Sequence, residues 1–124
     1  MQKNAVSWFE IPVKNFENAK NFYRTIFDFD MPEMQMGPNR MGILLHERDS
    51  GVGGAIVSGE WYEPSMSGTM VYLSANPDLS VVLDRVEKAG GAVLVPKTNI
   101  GENMGYFAIF KDVEGNRVGL HSTE

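Results

Sequence analysis

The stretch Ser7 to Phe27, SWFEIPVKNFENAKNFYRTIF, changes from a strand period to a helix period across one short turn, and its reading decides the fold. From Ser7 to Val13, the residues Phe9, Ile11 and Val13 alternate with Trp8, Glu10 and Pro12, which is the pattern of a half-buried strand. From Asn15, a residue type suited to an N-cap, Phe16, Ala19, Phe22, Tyr23, Ile26 and Phe27 fall on one side of a helix. The design recurs at Thr69 to Gly91, TMVYLSANPDLSVVLDRVEKAGG, where Val71 and Leu73 oppose Met70, Tyr72 and Ser74, and Leu79, Val82, Leu83 and Val86 form a helical stripe. Met70 follows Trp8 by half a chain length.

Each unit is followed by three strand patterns. In the first half these are Met31 to Gly37, an irregular Met-rich strand, then Arg40 to Glu47 and Gly53 to Ser58, joined by the turn RDSG ending at Gly51. Two methionines of Met31 to Gly37 are pocket wall or, more often for this side chain, gap filler. In the second half they are Ala92 to Thr98, Tyr106 to Lys111 and Arg117 to Ser122, with the turn DVEG ending at Gly115. The order is βαβββ twice over. This predicts a single α+β domain over residues 1–124, with one module at about 4–59, a linker at 60–68 containing Trp61, Tyr62 and Pro64, and a second module at about 69–123. The two modules are expected to form a cupped mixed sheet with the helices on its outer face.

One helix covers only one face of four strands, so the other face is left for water, a ligand or another module. Phe9, Ile11 and Val13, with Val71 and Leu73, are uniformly apolar and are assigned to the helix side. The cleft side then receives Trp8 and Glu10 in the first module and Met70, Tyr72 and Ser74 in the second.

Composition narrows the function. The 124 residues are 43% hydrophobic, include no cysteine and carry a net charge of −5 with the basic residues scattered. Disulfides and thiolate chemistry are excluded, and nucleic acid is an improbable partner by charge. No apolar run reaches the ~20 residues that span a bilayer, and the start MQKNAVSWFE lacks the apolar core of a signal peptide, so a cytoplasmic location and no membrane partner are expected. The glycines at 51, 53 and 54 follow a hairpin turn instead of opening a helix and are no dinucleotide fingerprint, and no GxSxG elbow is present.

The front WFEIPVKNFENAKNFY, the ending DVEGNRVGL and the duplicated βαβββ order between them resemble the vicinal oxygen chelate superfamily, which includes glyoxalase I, extradiol dioxygenases and the fosfomycin and bleomycin resistance proteins. The resemblance spans the whole chain and implies a glyoxalase-like fold. It also implies a divalent metal acting as a Lewis acid on two neighbouring substrate oxygens, with His or Glu ligands on the cleft side of the first and last strand of each module. Those positions fall here on Trp8, Ala55, Met70 and Gly119, none of which offers a hard donor. No metal and no cofactor are therefore expected.

Glu10 and His121 each lie two residues past one of these positions, so alternation puts both on the cleft side. They could face each other or share a ligand. Glu10 is read as a partly desolvated carboxylate on a central strand, with a ligand contact or acid/base role weighed evenly against a solvated cleft residue. His121 has the competing reading of an exposed terminal-strand residue, and His46, whose face is unsettled, that of a surface histidine. Trp8, Trp61, Tyr62, Tyr72 and Tyr106 are possible aromatic walls or core, with Trp8 and Tyr72 best placed for the cleft. The expected function is metal-independent small-molecule binding, through Trp8, Glu10, Met70, Tyr72, Trp61 and His121, in a homodimer. The alternatives are a lyase or isomerase acting at a carbonyl-activated carbon with Glu10 as the base, a divergent metal enzyme in which Glu10 and His121 are the catalytic residues, or sequestration of a cationic drug-like molecule.

Overall fold

The computed structural model describes residues 4–44 and 51–124. His46 and the first three residues of the RDSG turn lie outside them. The element order is β1 (Phe9–Pro12), α1 (Phe16–Phe27), β2 (Glu33–Met36), β3 (Asn39–Leu44), β4 (Gly54–Ser58), β5 (Tyr72–Ser74), α2 (Ser80–Val86), β6 (Ala92–Asn99), β7 (Tyr106–Lys111) and β8 (Arg117–Ser122). This is βαβββ twice. The strands divide into two four-stranded mixed sheets, ordered β1-β4-β3-β2 and β5-β8-β7-β6. In each, the first strand pairs parallel with the last, as a helical crossover requires, and the remaining pairs are antiparallel.

The strand order corrects one expectation. Among the described residues β1 pairs only with β4 and is an edge strand, so Glu10 does not sit in the middle of a sheet. An edge strand leaves one flank open to water, which makes a carboxylate there inexpensive.

α1 forms where the sequence placed it. Asn15 Oδ1 accepts from Asn18 N at 3.1 Å, and Asp28 closes the helix in the left-handed region with φ 53°. Phe16, Ala19, Phe22, Tyr23 and Ile26 are buried along its inner stripe. α2 has no N-cap side chain of its own. Its first turn is held instead by Ser122 Oγ, which accepts from Leu79 N at 3.0 Å, and by Asp78 Oδ1, which accepts from Ser80 N at 2.9 Å.

The helix-covered faces of both sheets share one core. Ile11, Val13, Phe22, Tyr23 and Ile56 of the first module and Leu73, Leu79, Val86, Phe110 and Leu120 of the second belong to a single buried cluster. Phe22 meets Tyr23 edge-on at 5.0 Å between centroids and Phe110 at 5.7 Å. The DVEG turn, expected only to reverse the chain, joins the two modules. Asp112, 2% exposed, accepts from Tyr23 Oη of α1 at 2.8 Å, from Asn116 Nδ2 at 3.1 Å, and from the backbone N–H groups of Glu114 and Asn116. Asn116 in turn donates to Pro12 O at 2.8 Å and accepts from Ser65 N at 3.0 Å. Glu114 accepts from the backbone N–H groups of Lys14 and Asn15 just before α1.

Burial, with the adjacent Asp112 carboxylate and its hydrogen bond, pushes the Tyr23 phenol well above its ordinary value near 10. The folded state therefore holds this proton where the unfolded state releases it, so stability is full below about pH 10 and falls as pH rises above it. Tyr23→Phe should cost about 1–3 kcal/mol at pH 7 by removing a donor from a buried carboxylate. Its stability should also decline less steeply above pH 10 than the parent's, a difference that chemical denaturation across pH 8–11 would measure.

Candidate functional site

The face of the first sheet away from α1 carries a hollow of about 370 Å³, lined by Trp8, Glu10, Met34, Met36, Asn39, Met41, Ile43 and Tyr62. That is the size of a small-ligand site. Strand register builds it. Glu10 pairs with Ala55, Ala55 with Ile43, and Met41 with both Met34 and Val57, so these side chains share one face across four strands. Met41, Ala55 and Val57 form its buried floor, against which Ile43 and Tyr62 pack.

The carboxylate of Glu10 is fixed in this hollow by two donors. Tyr62 Oη donates at 2.7 Å to one oxygen, and Trp8 Nε1 donates at a longer 3.4 Å to the other. The bond to Glu10, then desolvation and the nearby negative charge, raise the Tyr62 phenol above its ordinary value and keep it a donor. Glu10 is exposed in the chain, not partly desolvated as expected. Its position on an edge strand is the reason.

The other residues singled out from sequence lie elsewhere. Tyr72 and His121 line a second hollow with Ile100 and Phe107 on the uncovered face of the other sheet. Tyr72 meets Phe107 edge-on at 6.5 Å. His121 is half-buried, and its Nε2 lies 2.8 Å from Met104 O, a contact in which the ring nitrogen must donate because the carbonyl only accepts. Glu10 and His121 line different hollows, Glu10 the first with Trp8 and Tyr62, and His121 the second with Tyr72. Met70 lines another, with Val6, Phe9 and Leu44. Trp61 is 88% exposed and lines none of them, whereas its neighbour Tyr62 holds Glu10. Two adjacent aromatics in a linker have no period to say which turns inward, so sequence gave no means to choose. Tyr106 is half-buried beneath the Lys97 ammonium, 4.5 Å from the ring centroid.

The residues present do not fit the divalent metal that the fold implies. Of the four implied ligand positions, Ala55 is fully buried in the floor of the first hollow, and Gly119 lies under the ring of Tyr72. A Cβ at Gly119 would stand 2.3 Å from that ring. The described residues hold no group of three or more His, Asp or Glu able to bind a metal ion. No helix among them is long and apolar enough to cross a membrane.

The model of the Glyoxalase/Bleomycin resistance protein/Dioxygenase superfamily matches residues 5–120. The chain belongs to this superfamily. Solved structures agree on the fold. A hypothetical protein from S. aureus is 21% identical with TM-score 0.62, covering 98% of this chain and 99% of that one. TnmS3, an antibiotic binding protein from Streptomyces sp. CB03234, is 22% identical with TM-score 0.61, covering 98% of each. A glyoxalase I mutant from Zea mays is 15% identical with TM-score 0.68, covering 94% of this chain and 46% of that one. No match was found among curated proteins.

At Gly119, one of the positions for which the resemblance implies a ligand, the Tyr72 ring packs directly on the backbone. Gly119→Ala should therefore cost about 1–3 kcal/mol through overpacking. Combining it with Tyr72→Ala should relieve most of that cost, giving a clearly non-additive double-mutant cycle in chemical denaturation.

Proposed function

We propose that the chain is a metal-independent small-molecule-binding protein whose ligand lies in the Trp8, Glu10, Met41 and Tyr62 hollow, with the Glu10 carboxylate as its anchor. The observation that carries this reading is a carboxylate held by Tyr62 and Trp8 inside a hollow whose other walls, apart from Asn39, are apolar and aromatic. Such a hollow suits an organic molecule with an apolar body and a cationic or hydrogen-bond-donating group. Antibiotic binding by a protein of the same fold, TnmS3, is in keeping with this reading. Each Glu10 oxygen accepts one hydrogen bond from the chain and keeps a further lone pair with which to accept from a bound ligand.

The hollow is shallow in one chain, and both uncovered faces expose large apolar side chains, including Trp8, Met34 and Met36 on one and Tyr72 and Ile100 on the other. A homodimer in which a second copy covers these faces accounts for them. Light scattering coupled to size exclusion should give twice the mass of one chain at tens of micromolar, and the mass of one chain would count against it. The cytoplasm is the proposed location.

The direct test is a calorimetric screen of amphipathic organic cations against the parent and Glu10→Gln. The substitution should leave folding intact and weaken the best binder by about 1–3 kcal/mol, the worth of a charge-assisted hydrogen bond. Equal affinity in the two proteins would remove Glu10 as the anchor.

A further inference from the structure

Met34 and Met36 fill no gap. They are 48% and 55% exposed, while Met41 opposite them is 5% exposed. Gap filling explains a buried methionine such as Met41 but not two exposed ones, and covering by a second copy would call for apolar area there without calling for sulfur. Their orientation is fixed. Glu33, on the other face of β2, pairs with Lys20 of α1 and with Arg40, and Arg40 lies 4.1 Å from the ring centroid of Phe16. With Glu33 tied toward the helix, alternation turns Met34 and Met36 to the open face.

Three thioethers meet there. Met34 is the direct cross-strand partner of Met41 in the antiparallel β2–β3 ladder, and Met36 is two residues along on the same strand. Directly opposite Cβ atoms lie about 4.5–5.5 Å apart, and diagonal neighbours about 7–8 Å. All three side chains line the same hollow. Each sulfur sits on a flexible unbranched arm, so the three can converge on a point above the sheet. A trio of neutral, soft thioethers suits a soft monovalent d¹⁰ cation and is a poor site for Zn(II), Mg(II) or Mn(II). The carboxylate of Glu10 in the same hollow adds negative charge without having to be a ligand.

We propose that Met34, Met36 and Met41 form a binding site for a soft monovalent metal ion, Cu(I) or its redox-inert counterpart Ag(I). The site does not depend on Glu10 acting as an anchor for organic ligands, and the two are separable because Glu10→Gln removes that anchor while leaving all three sulfurs in place.

The test is titration of the full chain with Ag(I), and anaerobically with Cu(I) against a chromogenic Cu(I) chelator, following the methionine methyl signals by NMR. One ion per chain should bind, with the methyls of Met34, Met36 and Met41 shifting and those of the exposed Met66 and Met104 unmoved. Met34→Leu and Met36→Leu should each weaken binding by at least about tenfold, the lower end of what even supporting residues of a metal site cost. Because both are exposed, the thermal midpoint should persist. Absence of saturable binding, affinity unchanged in the double variant, or Zn(II) moving the same methyls with equal affinity would each overturn the proposal.

Discussion

The buried carboxylate of Asp112 is the contact on which the arrangement of the two modules depends. It gathers the phenol of α1, the Asn116 amide and two backbone N–H groups, while Asn116 reaches on to β1 and to the linker. A buried carboxylate without these donors would be costly, so satisfying it requires the DVEG turn of the second module to sit against the first helix. Glu114 of the same turn holds the backbone at the entry to α1. The strand-to-helix unit at the front of the chain is thus positioned by a turn near its end, and the orientation of β1, which carries Trp8 and Glu10, follows from it.

The positions for which the family resemblance implies metal ligands carry Trp8, Ala55, Met70 and Gly119, and packing holds the last of these small. The Tyr72 ring rests on Gly119, and on the helix side the Phe9 ring rests on Gly54, where an added Cβ would come within 2.4 Å of it. In both cases an aromatic residue on the edge strand covers a glycine on its parallel neighbour. The contact gives the edge strand something to pack on and excludes a longer side chain from the neighbouring strand. The polar and soft groups lining the hollow on the open face of the first sheet are one carboxylate, two aromatic donors, the Asn39 amide and three thioethers.

Much of the fold was legible in the sequence because it is local. β7 and β8 run from Tyr106 to Lys111 and from Arg117 to Ser122, as their alternation and the intervening Gly115 indicate. The helix stripes fall on the residues that the 3.6-residue period selects. What pattern cannot supply is which strand lies beside which. The edge position of β1, and with it the exposure of Glu10, comes from pairing between residues more than forty apart. The bond between Tyr23 and Asp112 spans a still longer separation and leaves no periodic trace. The open-face site was legible in part: alternation placed Trp8 and Glu10 together, but it could not choose Tyr62 over Trp61, nor keep His121 and Tyr72 out of a joint site with Glu10.

The central claim is that this superfamily member holds its ligand without a divalent metal. Its most direct test is calorimetry of the tightest organic cation with protein that has been exhaustively treated with a divalent-metal chelator, compared with protein given excess Zn(II), Ni(II) or Mn(II). The account predicts one affinity in all cases and a folded protein throughout. Loss of binding on chelation, restored by any one of these ions, would contradict it.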